Sequence, residues 1–188
     1  DRNVSTWASV ITSGGASRHE RLSPAMSLLI IVGHVKDGIE MAREYGVPAS
    51  LVPFIAEHHG TTLVEYFYHA ANRLRKPGDK EVAEAQFRYP GPKPQTRETA
   101  ILMLCDGVEG AVRAMPEPTP GRIETVVREV IRKRLMDGQF DECDLSFREL
   151  SIIEKSLVKS LCGLYHARIV YPDKDEPERT AAESRHAS

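Results

Sequence analysis

The chain has 188 residues, of which 41% are hydrophobic and 28% are charged, and its formal net charge is -2. This size and composition fit one soluble globular domain with enough apolar side chains for a core. The near-neutral charge balance argues against binding nucleic acid through bulk positive charge, so we expect no DNA partner. The longest apolar run, residues 28–33, is far too short to span a membrane.

The chain begins with a polar stretch that lacks the apolar core of a signal peptide, so we expect none. Its cysteines, Cys105, Cys143 and Cys162, are odd in number and lack metal-type spacing. Cys105 and Cys162 fall inside apolar helical patterns, which predicts buried reduced thiols. Together these features favour a reducing, cytoplasmic setting.

Capped segments with helical periodicity fill the chain from Pro24 onwards. Ser23 suits an N-cap and Pro24 the first helical position, while Gly33 allows a break near His34. The pattern predicts an all-α fold with little or no sheet: a helical domain at 23–172 between an irregular segment, 1–22, and a disordered tail, 173–188. The predicted helices cover residues 24–45, 48–59, 62–75, 97–115, 120–136 and 146–169, with one or two further turns at 79–85.

A proline-rich segment, residues 87–94, interrupts the helices. Its three prolines and one glycine exclude a helix. We interpret it as an extended connection that Phe87 and Tyr89 pin to the surface of the domain.

Two adjacent histidines stand at a predicted helix end. His58 and His59 precede Gly60, and neighbouring side chains point about 100° apart around a helix, so both face one cleft only at its end. A pair of surface histidines at a helix C-terminus explains the pattern equally well, because cationic side chains are mildly favoured there.

Asp106 and His34 each follow an apolar run. Asp106 comes directly after residues 100–105, which predicts a partly buried carboxylate that needs a partner, either a base such as Arg113 or a metal ion. A histidine in the position of His34 is more often a core residue than a ligand. Histidines and a carboxylate brought together from separate helices nevertheless suit Mn²⁺, Fe²⁺ or a similar ion.

Seven segments carry a resemblance to a known family. They read LSP at 22–24, IIVGHVKDG at 30–38, EHHGTTLVEYF at 57–67, FRYPGPKPQT at 87–96, MLCDGVEGAVR at 103–113, DGQFDECD at 137–144 and GLYHARIVYP at 163–172. In this order they resemble the cytoplasmic domain of the seven-transmembrane-HD family, bacterial membrane proteins of the HD-domain phosphohydrolase superfamily. The best-known branch hydrolyses cyclic di-AMP to the linear dinucleotide. The resemblance covers roughly residues 14–172.

This resemblance implies an HD-like helical bundle with a metal-dependent phosphodiesterase site. On the family pattern His34 is the middle histidine, His58 and His59 are the histidine doublet, and Asp106 is the late aspartate. We therefore predict that these four side chains converge in one cleft and form a partial site for a divalent transition metal, Mn or Fe. The resemblance further implies a cyclic dinucleotide partner, cyclic di-AMP first, and a soluble cytoplasmic domain of a bacterial inner-membrane protein, attached through segments outside this chain.

The family's first histidine and its adjacent His-Asp pair do not carry over. No His-Asp dipeptide occurs in the chain; His19-Glu20 and Asp1 are the nearest candidates. Either the chain begins inside the domain or the protein has lost the pair. The missing aspartate bridges two ions about 3.5–4 Å apart in such enzymes, so we expect this chain to hydrolyse cyclic di-AMP very slowly or not at all.

Three further residues are candidates for contacts with substrate phosphate. Lys36 also suits a solvated helix face, and Thr61 and Thr62 also suit helix capping. The alternative function is a degenerate HD domain that binds a nucleotide or docks a protein without turnover, and a purely structural helical domain is a third. Because the first helices of the HD core would be missing, we expect exposed apolar surface that a second copy of the chain would cover in a homo-oligomer.

Overall fold

The computed structural model describes residues 23–166, and the predicted irregular segment 1–22 and tail 173–188 lie outside this range. The described part is helical, and its only β-type pairing is an isolated antiparallel bridge between Leu63 and Arg88. The predicted all-α class is confirmed. Six α-helices follow one another: α1 (Pro24–Glu44), α2 (Val52–Glu57), α3 (Glu65–Arg73), α4 (Arg97–Arg113), α5 (Pro120–Met136) and α6 (Phe147–His166), with 3₁₀ turns at Ala49–Leu51 and Glu84–Phe87.

Helix starts follow the capping residues of the sequence. The Ser23 hydroxyl accepts from the backbone N–H of Met26 at 3.3 Å, and Pro24 occupies the first turn of α1. Thr96 and Thr99 form a reciprocal capping box at the start of α4. The starts of α1 and α4 are therefore as the sequence predicted.

The break that the sequence allows near Gly33 does not occur, because α1 continues through Gly33 and His34. The predicted helix at 62–75 starts only at Glu65. Its first residues are extended instead, because they pair with the proline-rich segment.

This pairing confirms the extended connection predicted for the proline-rich segment. The backbone N–H of Val64 donates to the carbonyl of Phe87 at 2.8 Å, and that of Tyr89 donates to the carbonyl of Thr62 at 3.0 Å. Phe87 and Tyr89 are both buried. The segment is thereby fixed beside the chain that follows the histidine doublet.

Two apolar clusters hold the helices together. The larger joins α4, α5 and α6 around fully buried side chains such as Leu104, Val112 and Val127. The smaller packs Leu28 of α1 against Phe67 and Phe87. Helix α2 contacts both α1 and α4, so the end of α2 lies between the two parts of the domain.

The surface differs from expectation at the cysteines. Cys105, Cys143 and Cys162 are free thiols, and each is half-buried. Cys105 of α4 and Cys162 of α6, for which the sequence predicted burial, are therefore less buried than expected. At the start of α1, Met26 and Leu29 are 51% and 66% exposed. Across residues 23–166, no helix has the length and apolar character needed to cross a membrane.

Candidate metal centre

Three histidines meet between α1 and the end of α2. His34 lies in the middle of α1, His58 caps the C-terminus of α2, and His59 follows it. One ring nitrogen from each lies within 4.8 Å of the other two, and all three side chains are half-buried. We call these residues the three-histidine cluster; a set of ring nitrogens at this spacing can hold a metal ion.

The rings of His34 and His58 are oriented so that the Nε2 atom of each faces the Nε2 atom of the other. His34 Nδ1 is hydrogen-bonded to the carbonyl of Ile31, and His58 Nδ1 to the carbonyl of Ile55 at 2.8 Å. A carbonyl only accepts, so each Nδ1 carries the proton and each Nε2 is left with a lone pair. The two Nε2 atoms are 3.3 Å apart. Two lone pairs at this distance require a proton or a cation between them, and backbone carbonyls on the second nitrogen are typical of metal-binding histidines.

His59 joins the cluster from a tight turn. Gly60 takes a φ of +53°, and its N–H donates to the carbonyl of Glu57 at 2.9 Å. The Thr62 hydroxyl donates to the carbonyl of His59 at 2.8 Å. The ring of His59 stacks on Tyr89 with centroids 4.3 Å apart and an angle of 25°. Since only glycine adopts this φ freely, Gly60 lets the chain turn directly after the histidines.

Burial favours the neutral imidazole at His58 and His59. It lowers the pKa of His59 to about 2, with smaller contributions from the charges of His58, His34 and Arg134. Burial also lowers the pKa of His58, although a hydrogen bond to Ile55 and the charge of Asp106 oppose it. Neutral imidazole is the form that binds metal ions, so the lowered pKa values of these two rings favour binding of a cation.

Asp106 lies beside the cluster, with Oδ2 at 3.5 Å from His59 Nδ1. Its side chain is 49% exposed, so the expectation of a partly buried carboxylate overstated its burial. The apolar residues before Asp106 do not bury it, because only one face of α4 is covered: Met103 and Leu104 are buried, but Ile101 is 37% exposed. The alternative partner Arg113 pairs with Glu109 instead, at 3.0 Å. The structure thus brings together all four predicted ligands, with Asp106 at the edge, and their metal-binding role stays a prediction.

The three predicted phosphate contacts already have other partners. Lys36 is 80% exposed, pairs with Glu40 at 3.9 Å and lies about 200° around α1 from His34. The N–H of Thr61 donates to Gln139 Oε1 at 3.0 Å. Thr62 is 2% exposed, and its hydroxyl donates a hydrogen bond to the carbonyl of His59. Neither threonine caps the next helix, because α3 starts at Glu65 and its N-cap, Val64, makes no side-chain capping bond. Phosphate binding by Lys36, Thr61 and Thr62 stays a prediction.

Sequence reasoning missed two side chains next to the site. Gln139 is fully buried and bonds to Thr61 just after the doublet. Arg134 has a buried Nε with no hydrogen-bond partner among the described residues. Burial lowers the pKa of Arg134, and the nearby charges of Asp137 and Asp106 oppose this lowering. Both residues occur in or near the DGQ motif at 137–139, but a motif alone does not reveal which surface its side chains face.

Comparison with known proteins gives a consistent result. No protein-family model matches the chain. It is 49% identical over 155 residues to the cyclic-di-AMP phosphodiesterase PgpH of Bacillus subtilis, covering 82% of this chain and 21% of that protein. It is 45% identical over 159 residues to PgpH of Listeria monocytogenes, covering 85% of this chain and 22% of that protein. The chain therefore spans about a fifth of the length of these relatives.

Solved structures match over most of the domain. The crystal structure of the L. monocytogenes phosphodiesterase PgpH HD domain superimposes with a TM-score of 0.75 at 43% identity, covering 82% of this chain and 70% of that one. The same domain in complex with cyclic-di-AMP gives a TM-score of 0.75 at 44% identity, covering 82% of this chain and 71% of that one. The fold shared with these structures is that of an HD domain. More specifically, the chain belongs to the family of PgpH HD domains, which confirms the resemblance drawn from the sequence motifs.

Proposed function

We propose that this chain is part of a cyclic di-AMP phosphodiesterase and supplies three histidine ligands and one aspartate to its metal centre. The observation that carries the proposal is the approach of His34 Nε2 to His58 Nε2 at 3.3 Å, while a backbone carbonyl lies at Nδ1 of each ring. A cation between them satisfies both lone pairs, and His59 and Asp106 add a third nitrogen and a carboxylate. This donor set fits a divalent transition ion such as Mn²⁺ or Fe²⁺.

The residues of this chain have distinct parts in the proposed site. A divalent ion would polarise phosphoryl oxygens and provide a nucleophile from water at neutral pH. His34 and His58 hold the ion in a fixed place because backbone carbonyls of their own helices orient both rings. Asp106 is the negative charge among the four, and its exposed side leaves room for a dinucleotide to approach.

Cyclic di-AMP is the proposed ligand because of the relatives. Two PgpH proteins are named cyclic-di-AMP phosphodiesterases, and the PgpH HD domain has been solved in complex with cyclic-di-AMP. The chain is 43% identical to that domain, and the match covers 82% of this chain. The dinucleotide carries two phosphates, which suits a site whose bound cation attracts anions.

We further propose that the chain as it stands binds but turns over slowly or not at all. Three neutral imidazoles and one carboxylate supply a single negative charge against the four positive charges of two divalent ions. No His-Asp dipeptide supplies the bridging carboxylate, and among residues 23–166 no carboxylate belongs to the mutually close ligand group. A second ion would therefore bind weakly, and the attacking water would be poorly positioned. The missing His-Asp pair is also the observation that favours the alternative, a degenerate domain that binds without turnover.

One experiment tests binding and turnover separately. The purified chain is titrated with cyclic di-AMP by calorimetry with and without Mn²⁺, and the linear dinucleotide is then sought by chromatography. We expect metal-dependent binding, its loss in His58→Ala, and no change in His69→Ala, which alters an exposed histidine of α3. Turnover at about 1 per second or faster would contradict the partial site. Absence of metal-dependent binding would contradict the proposed function itself.

A further inference from the structure

His59 differs from the other two members of the three-histidine cluster in how its ring is held. His34 and His58 each have a backbone carbonyl at Nδ1. His59 has no such hydrogen bond within residues 23–166, and its Nδ1 faces the half-exposed carboxylate of Asp106 at 3.5 Å. A metal-binding imidazole needs a second contact that fixes its orientation. At 3.5 Å the contact with Asp106 is longer than an ordinary hydrogen bond, so a further group is needed to hold the ring of His59 firmly.

Tyr89 has the geometry to do this. Its ring is nearly parallel to that of His59, with centroids 4.3 Å apart, and meets His34 edge-on at 6.3 Å. Tyr89 is 9% exposed, so its ring forms a buried wall of the cluster. We infer that Tyr89 is a positioning residue that keeps the His59 ring turned towards His34 and His58, an inference that rests on the proposed metal centre.

The backbone of Tyr89 is fixed to the segment that carries His59. Its N–H donates to the carbonyl of Thr62 at 3.0 Å, and the hydroxyl of Thr62 donates to the carbonyl of His59 at 2.8 Å. Thr62 therefore connects the backbone of Tyr89 to the backbone of His59. A ring held in this way restricts rotation of its neighbour without a hydrogen bond to it.

The contact requires the ring of Tyr89 and not its hydroxyl. No hydrogen bond to the phenol oxygen is found within the described part of the chain, whereas both ring contacts involve cluster histidines. Tyr89→Phe should therefore preserve the positioning. Tyr89→Leu removes the stacked face while keeping an apolar side chain.

The test compares three variants. Phe87→Leu is the matched control, because Phe87 is equally buried two residues away but packs against Leu28 and Phe67 instead of the histidines. Mn²⁺ affinity is measured by calorimetry. The orientation of the His59 ring is measured by NMR in metal-free protein, from NOEs between its ring protons and those of His34 and His58, and its signals are assigned by their loss in His59→Gln. We expect Tyr89→Leu to weaken Mn²⁺ binding about tenfold or more and to weaken these NOEs, while Tyr89→Phe and Phe87→Leu do neither.

The outcomes separate this inference from the proposed function. If the wild-type chain binds no Mn²⁺, the metal centre is overturned, and the metal-free NMR comparison still decides whether Tyr89 holds the ring. If wild type binds Mn²⁺ and Tyr89→Leu binds equally well with unchanged NOEs from the His59 ring, the positioning role is overturned. An equal loss of affinity in Phe87→Leu would also overturn it, because general destabilisation would then explain both. Tyr89→Met replaces Tyr89→Leu if the latter does not fold.

Discussion

The guanidinium of Arg88 donates to both carboxylate oxygens of Asp137, through Nη1 at 3.0 Å and Nη2 at 2.8 Å. Arg88 precedes Tyr89 in the extended segment, and Asp137 directly follows α5. The same Nη1 also donates to the carbonyl of Thr61 at 2.9 Å, just after the histidine doublet. One planar guanidinium thus fastens three separate chain segments behind the candidate metal centre.

This ion pair predicts a pH-dependent contribution to stability. Burial by itself would raise the pKa of Asp137, but hydrogen bonds from Arg88 and Gln139 outweigh it and lower the pKa below its ordinary value. A lowered folded-state pKa stabilises the fold above the unfolded-state pKa, and the stabilisation is lost as the pH falls through the folded-state pKa. We expect Asp137→Asn to reduce the free energy of unfolding by about 1–3 kcal/mol near pH 7.

The difference between Asp137→Asn and wild type should then begin to shrink near pH 4, where the aspartate of the unfolded chain protonates, and should vanish as the pH falls through the lower folded-state pKa. Urea unfolding of both proteins from about pH 7 to about pH 3 measures this. A difference that stays constant over that range would show that the charge of Asp137 does not contribute.

Gly60 is predicted to tolerate no side chain. Its φ is +53°, and a Cβ there would lie 2.6 Å from Met103 Cε and against Gln139 Oε1. Both neighbours are buried and have little room to move. We expect Gly60→Ala to lower the free energy of unfolding by about 2–3 kcal/mol.

Gly110→Ala in α4 provides the control for this substitution, because a Cβ there meets nothing within 4 Å. Alanine is the better helix former, so this variant should gain up to about 1 kcal/mol. Denaturant unfolding measures both, and equal stability of the two variants would refute the steric argument.

Metal binding should stabilise the fold, because the three-histidine cluster exists only when α1 and α2 are packed together. Mn²⁺ at about 100 times its Kd would add about 2.7 kcal/mol to the free energy of unfolding, and a chelator would remove it. Thermal melts with Mn²⁺ and with chelator measure the shift. His58→Ala should abolish it and His69→Ala should retain it; an undiminished shift in His58→Ala would place the ion elsewhere.

Asp106 should affect metal binding far more than stability. Its side chain is 49% exposed, so Asp106→Ala should change the free energy of unfolding by less than about 0.5 kcal/mol. Its carboxylate is the negative charge next to the cluster, so Mn²⁺ affinity should fall about tenfold or more. Glu109→Ala is the control on the same helix, where the carboxylate pairs with Arg113. Equal Mn²⁺ affinity in Asp106→Ala and Glu109→Ala would remove Asp106 from the site.

The sequence by itself determined the local structure and the choice of candidate residues. Capping residues such as Ser23 and Thr96 set the starts of helices, because they satisfy backbone donors within one turn of themselves. The motif around His58 and His59 identified the family, because its residues are adjacent in the chain. Both kinds of information depend only on near neighbours in sequence.

Only the tertiary structure decided how the site is arranged. The approach of the His34 and His58 Nε2 atoms to 3.3 Å depends on how α1 packs against α2. The stacking of Tyr89 on His59 depends on the pairing of two segments far apart in the chain. The exposure of Asp106 depends on which face of α4 the other helices cover. Periodicity shows that a helix has an apolar face, but the rotation and contacts of that face are set by side chains packing across the whole domain.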